Sequence, residues 1–226
     1  MYVLIDGTNT QEYKLRVTAL PPIQIPQKRV KLITIPGRSG NMTQWDGSYE
    51  DIVKPVGFFY RDPYPERIAQ LLLSGSTITF SNEPAKVYDY RIDVSTDLIK
   101  TIAEWHQFDV QFICNPLKRE ASPAIVSANT SPVFLTNQCN HPAYPSIILT
   151  GSGDVTLAVG DQDITLKDIG PEIVIDGDAL ECYQGTTLAS DKMIGDFPVI
   201  GIGETVSISW EGIVTAIKIL PNWRWV

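Results

Sequence analysis

The chain carries two histidines, His106 and His141. Histidine is the side chain whose ordinary pKa lies closest to neutral, so these are the first candidates for proton transfer or zinc binding. Either role needs partners nearby, yet the two lie far apart in sequence, in different presumed domains. No Gly-x-Ser-x-Gly elbow exists, and Gly37-Arg38-Ser39-Gly40 lacks its spacing and its strand-to-helix context. Gly201-Ile202-Gly203-Glu204 has the glycines of a dinucleotide turn. A phosphate cradle needs a helix N-terminus at that point, and the next residues, Thr205–Glu211, read as a strand. A hairpin turn is the better reading. Asp154, Asp161, Asp163, Asp168, Asp176 and Asp178 crowd the second half. Carboxylates suit Ca²⁺ or the acid–base pair of a glycosidase. Asp176-Gly177-Asp178 departs from the EF-hand pattern, however, and an aspartate beside glycine caps its own turn without a metal. Tyr144, Tyr183, Trp210, Trp223 and Trp225 could form a sugar-stacking platform. The plainer reading puts Trp210 in the core and packs the terminal tryptophans on a sheet or a neighbouring subunit. No catalytic, cofactor-binding or metal-binding set emerges. The chain reads as a protein that builds or binds, not as an enzyme.

The elements that hold these residues are mostly strands. Val206, Ile208 and Trp210 alternate with Thr205, Ser207, Ser209 and Glu211, so one face is dry and the other wet. In the first half, strands are expected at Tyr2–Ile5 and Tyr13–Ala19, with Asp6-Gly7-Thr8-Asn9 as the turn signal. The Pro-rich piece from Leu20 to Pro26 reads as rigid and extended, at a sheet edge or in a loop. Val30–Ile35 is a strand closed by the turn Pro36–Gly40. Ile52–Tyr60 is another, and Pro55 within it demands an edge or a bulge, since proline cannot donate to a ladder. One helix comes next: Asp62 as cap, Pro63 or Pro65 in the first turn, Glu66 near the positive dipole end, Ile68, Leu71 and Leu72 as the apolar face, and Gly75 as the stop. Further strands are expected at Thr77–Ser81, Lys86–Val94 and Gln107–Cys114. Leu98–Trp105 fits a helical turn or a strand.

Asn115–Pro145 holds five prolines among Ser, Asn and Thr and reads as a domain boundary, with a strand at Val133–Thr136 inside it. Beyond it come Ser146–Thr150, Val155–Val159, Ile164–Leu166, Glu172–Ile175, Glu181–Gln184, Thr205–Glu211 and Val214–Leu220. Turns are expected at Gly151–Asp154, Gly160-Asp161 and Asp176–Asp178. Short strands at that spacing argue a β-sandwich or jelly roll.

The totals are consistent with this. At 226 residues, 43% hydrophobic and 19% charged, the chain can bury a sizeable core in one large or two ordinary domains. A net charge of −8 argues against nucleic acid as a general partner. Cys114, Cys139 and Cys182 are odd in number with no C-x-x-C spacing, which points to a reducing cytoplasm as the place of folding. Cys114 continues the alternation of Phe108, Val110 and Phe112 as a small core residue. Met1–Gly7 has neither the basic region nor the apolar run of a signal peptide. No stretch approaches the ~20 apolar residues of a membrane helix.

Several runs, taken in order, resemble a known family. They are Ile35-Pro36-Gly37-Arg38-Ser39-Gly40, Phe108 to Pro116, Pro145 to Asp154, Glu172 to Asp176, Met193 to Pro198, and Val206 to Trp210. In order and spacing the chain resembles the distal tail protein (Dit) family of long-tailed (siphovirus) bacteriophages of Gram-positive bacteria. The resemblance implies a mainly β protein. Residues 1–120 would be a ring-forming, sandwich or barrel-like β domain with one helix over Glu66–Leu73. Residues 121–226 would be a galectin-like β-sandwich. It further implies a hexameric ring in the virion tail tip, assembled in the host cytoplasm, with no catalysis and no cofactor. The ring would link the tail-tube protein to the tail-associated lysin or tip protein, with receptor-binding proteins as further partners. Sequence-specific nucleic acid and membrane are not among them. The alternative from the residues alone is a carbohydrate-binding module that attaches to cell-wall polysaccharide through the second domain.

Overall fold

The computed structural model describes residues 1–60, 64–93 and 106–226. The chain divides into two compact units, Met1–Ala121 together with Val226, and Ser122–Trp225. The described residues are mainly β with one α-helix, and each unit wraps a curled sheet around its own core.

In the first unit the main sheet runs Thr8–Asn9, Val3–Ile5, Thr77–Phe80, Lys86–Ile92, Gln107–Cys114, Ile52–Tyr60, Leu15–Ala19. Its first hairpin turns on two residues, with Ile5 facing Thr8 across the pair. Asp6 and Gly7 both have positive φ, 46° and 78°. That is the mirror-image turn whose twist matches flanking strands, and it explains the Asp-Gly pair. The second expected strand begins later than its alternation suggests. Thr10–Tyr13 forms a short 3₁₀ turn capped by the Asn9 side chain, and Lys14 at φ 56° breaks it before Leu15–Ala19 starts. Pro55 lies opposite Gln111 on one side. On the other side Leu15–Ala19 pairs only with Gly57–Tyr60, so Pro55 stands on an edge stretch, as its missing N–H requires.

The helix spans Pro65–Ser74. Pro65 occupies its first turn, where a missing N–H costs nothing. The N-cap position is Tyr64, whose side chain makes no capping bond, in place of the expected Asp62. Asp62 and Pro63 lie outside the described residues, as do Val94 and Leu98–Trp105. Ile68, Ala69 and Leu72 are buried against the sheet, with Leu71 partly so. Each large apolar side chain removed from water in this way contributes roughly 1.5–3 kcal/mol. Gly75 ends the helix, though not through left-handed geometry: its φ is −72°. The reason is space. A Cβ there would lie 2.3 Å from the Tyr90 hydroxyl and 2.4 Å from Ile5 Cγ2. That hydroxyl donates to the Leu72 carbonyl at 2.8 Å, satisfying one of the last carbonyls of the helix. Phe58, Phe80, Tyr88, Tyr90, Phe108 and Phe112 fill the core; Tyr90 and Phe112 meet edge to face at 5.0 Å.

Lys28–Thr34 pairs with a strand that the sequence pattern does not reveal, Asn41–Tyr49. The two form a separate two-stranded sheet.

In the second unit, two long strands dominate: Ser146–Val159 and Thr205–Leu220, paired along their lengths. The sequence pattern predicts two strands in place of each, and a turn at Gly151–Asp154. Both corrections have one cause. A Cβ on Gly151 would lie 2.2 Å from the Ile213 carbonyl oxygen, and one on Gly212 would lie 2.5 Å from that of Asp154. The two glycines let the strands bulge and bend together without breaking. The sheet order is Val126–Ala128, Thr205–Leu220, Ser146–Val159, Glu172–Asp176, Glu181–Gln184, Thr187–Leu188. Val133–Thr136 joins Thr205–Leu220, and Gln162–Ile169 joins Ser146–Val159. Ile147, Leu149, Leu157, Ile164, Ile208 and Ile217 are fully buried between these strands. Among the described residues, no helix is long and apolar enough to cross a membrane.

Candidate functional site

The residues with chemical potential do not converge. His106 and His141 sit in different units. The Pro142 carbonyl lies 2.9 Å from His141 Nδ1, and the His106 main-chain carbonyl accepts from Tyr60 N–H. Among the described residues, no three His, Cys, Asp or Glu side chains gather as a metal site. The aspartates act where they stand. Asp176 Oδ1 accepts from the N–H groups of Asp178 and Ala179 at 3.0 and 3.2 Å and from the Ser146 hydroxyl at 3.0 Å, so it caps its own turn. Asp154 accepts from the Asp168 N–H, and Asp178 pairs with Arg224. Gly201–Glu204 is a closed turn: the Glu204 carboxylate accepts from Gly201 N–H at 2.7 Å, and it leads into a strand, not a helix. The three cysteines are buried, unlinked thiols, and burial pushes the Cys114 thiol up to about 12. Of the five aromatic residues suited to sugar stacking, none is fully exposed; Trp210 and Trp223 pack against the second core.

Ionisable groups do meet at one place that pattern reading missed. Lys54 stands inward on Ile52–Tyr60, between Ile52 and Val56, and only 1% of its surface is exposed. Its ammonium donates to the Pro22 carbonyl at 3.4 Å, lies 3.7 Å from the Glu83 carboxylate, and sits 4.7 Å from the centre of the Tyr88 ring. Glu83 also accepts from Lys118 at 3.0 Å and from the Tyr88 hydroxyl at 2.6 Å. Burial drives the Lys54 pKa down, and Glu83 only partly offsets this. Burial pushes Glu83 the other way, upward, but the bonds from Tyr88 and Lys118 outweigh it and hold the carboxyl below its ordinary range. With Asn82 donating to the Pro21 carbonyl at 2.9 Å, the cluster pins the strap that leads from Ala19 to Lys28. It is a fastening, with every charge occupied, and it offers no reacting group to solvent.

The strap leads into the hairpin of Lys28–Thr34 and Asn41–Tyr49, which is the unusual surface of the first unit. Val30, Leu32 and Trp45 share one face, since Val30 pairs with Trp45 and Leu32 with Thr43. Ile33 and Met42, paired with each other, lie on the opposite face. Leu32 is 59% exposed, Met42 47% and Trp45 44%. A two-stranded hairpin is barely stable alone in water, and this one has apolar residues on both sides. Local contacts hold it in shape: Lys28 over the Trp45 ring at 4.2 Å, the Trp45 indole N–H to the Ser48 carbonyl at 2.7 Å, and Arg29 with Glu50 at 3.0 Å.

Charge is unevenly divided. Residues 1–121 carry 14 acidic and 14 basic side chains, whereas residues 122–225 carry 12 acidic and 4 basic. The whole net charge of −8 therefore belongs to the second unit.

No protein-family model matches the sequence, and no curated protein matches it. A solved structure is similar: the crystal structure of SPP1 Dit (gp 19.1), described as a paradigm of the hub adsorption apparatus in phages that infect Gram-positive bacteria. The match has a TM-score of 0.73 at 14% sequence identity and covers 100% of this chain and 99% of that one. From end to end, then, this chain has the fold of the SPP1 distal tail hub protein.

Proposed function

We propose that this protein is a structural component of a phage tail tip, a distal tail hub. Six copies close into a ring through residues 1–120, and the ring joins the tail-tube protein to the tail-associated lysin or tip protein. Residues 121–226 form a galectin-like domain that faces the adsorption apparatus, where receptor-binding proteins attach. The protein assembles in the host cytoplasm and ends in the virion. It performs no catalysis and needs no cofactor. The observation that carries this reading is the match in fold to a hub protein over 100% of this chain and 99% of that one.

The hairpin supports the same reading. Its two apolar faces need covering, and a ring supplies a neighbour to cover them, because a head-to-tail interface that closes under rotation presents the same two surfaces at every junction. The carbohydrate-binding alternative gains little from the five aromatic residues suited to stacking: each is half-buried, and Trp210 and Trp223 pack against the second core.

Location in the particle tests the proposal. Gold-labelled antibody against residues 122–225 should decorate purified virions at the end of the tail distal to the capsid. Absence of the chain from purified virions, or label along the whole tail, contradicts it.

A further inference from the structure

Among the described residues, Leu15–Ala19 is the last strand of the first unit's sheet and pairs on one side only, with Ile52–Tyr60. Near it opens a cavity of 610 Å³ lined by Met1, Gln11, Lys14, Arg16 and Val17. Two further cavities, 370 and 320 Å³, continue it: the first shares Lys14, and the second joins the first through Tyr13 and Arg67. The result is a groove that starts at the strand and runs past the 3₁₀ turn to the helix. Lys14, Arg16 and Arg67 line it and are exposed, while Glu12 is the one carboxylate among its described lining residues. Tyr13 and Tyr64 expose their rings along it. In a unit with no net charge, three cations and one carboxylate make this groove locally basic beside the strand edge.

We propose that the groove is a docking surface for an extended, acidic segment of a partner protein. The segment adds a strand to the Leu15–Ala19 edge and lays its carboxylates against Lys14, Arg16 and Arg67. An unpaired edge presents alternating N–H and C=O groups, which match a polypeptide backbone. A phosphodiester backbone has no donors to return to those carbonyls, so the edge favours a polypeptide over a nucleic acid of the same charge. The arginine forks bind carboxylates in pairs, and the tyrosine rings take up apolar side chains between them. Cations on an edge also protect it against unwanted strands; here the same charges that turn away a basic strand select an acidic one. The inference rests on the edge, the cavities and the charges, and not on the ring, so either can fail without the other.

The test is fluorescence anisotropy on the full chain with a labelled peptide of about ten residues that alternates glutamate with threonine, long enough to span the edge. Three controls run beside it: a lysine–threonine peptide, the acidic peptide methylated on alternate backbone nitrogens, and a single-stranded DNA of equal charge. The acidic peptide binds, the lysine peptide does not, and both the methylated peptide and DNA bind more weakly. Arg16→Glu with Arg67→Glu weakens the acidic peptide about tenfold while the thermal midpoint stays put, because both side chains are exposed. Arg16→Gln with Arg67→Gln weakens it less. No binding at millimolar peptide overturns the proposal, as does binding that ignores the charge reversal. Equal affinity for DNA makes the groove a general polyanion site, and indifference to methylation removes the added strand; each of these also overturns it.

Discussion

Glu83 shows how much hangs on one side chain in this fold. Between Lys54 and Lys118, and bonded by the Tyr88 hydroxyl, it neutralises a lysine that has almost no contact with water. Glu83→Gln leaves two ammonium groups without a carboxylate, and a loss of about 3 kcal/mol is expected at pH 7. The pH dependence has a definite sign. Glu83 is held below its ordinary 4.5 in the folded chain, so its stabilisation is complete above that value and is lost as pH falls through the lower, folded value. Denaturant titrations of the two proteins should therefore diverge at neutral pH and converge in acid; a constant gap would contradict the linkage. Lys54→Met should cost less, because Lys118 stays with Glu83 and the methionine packs against Phe80 and Tyr88. Gly75→Ala makes a different demand: its Cβ displaces the Tyr90 hydroxyl from the Leu72 carbonyl, and a loss of about 1–3 kcal/mol is expected in the same titration. The sequence marks Gly75 as a helix stop and places Cys114 in the core. It holds no sign that Lys54 is buried, because a lysine at an inward strand position looks like a lysine at a bulge until its partners, 29 and more residues away, are seen around it.

Elements are legible where their periodicity is local. Gln107–Cys114 buries every second residue, Phe108, Val110, Phe112 and Cys114, with exposed or half-buried residues between them, and the helix Pro65–Ser74 buries the expected Ile68 and Leu72. Asn41–Tyr49 escapes because its residues have no period: Met42, Trp45 and Tyr49 fall among polar neighbours, and only pairing with Lys28–Thr34 makes them a strand. The two long strands of the second unit read as halves for a related reason. Gly151-Ser152-Gly153-Asp154 has the composition of a turn, and only its approach to Gly212 and Ile213 reveals a bulge. Gly151→Ala tests that account. Its Cβ meets a backbone carbonyl rather than a movable side chain, so a loss of about 3 kcal/mol, the upper end of the usual overpacking cost, is expected, read from the tryptophan fluorescence of Trp210 and Trp223 during unfolding. An unchanged midpoint would mean that the strands part more readily than their geometry implies. The hairpin calls for the opposite result. Leu32→Ser with Met42→Ser alters exposed side chains outside the contacts that shape the hairpin, so the stability of the isolated chain should move by only about 0.5 kcal/mol, while self-association measured by sedimentation should fall sharply. An unaltered association would place the subunit contacts elsewhere.

At the scale of the whole molecule, the division of charge and the division of apolar surface agree. The first unit is neutral and carries an apolar hairpin, a suitable surface for close packing of identical neighbours. The second carries the entire excess of 8 negative charges, which in the proposed ring would favour separation of the second units from one another. Composition alone shows the acid excess but not its allocation to one unit. The fold class is legible in the alternation, and the family resemblance in the order of its motifs; the surfaces that make contact are not, because they depend on what the first fold leaves uncovered. The ring is the central claim, and molar mass tests it most directly. Light scattering on the purified chain at high concentration, with negative-stain images of the same fraction, should give six times the 25.1 kDa chain mass and closed rings. A single-chain mass at every concentration, persisting after the tail-tube and tip proteins are added, would contradict it.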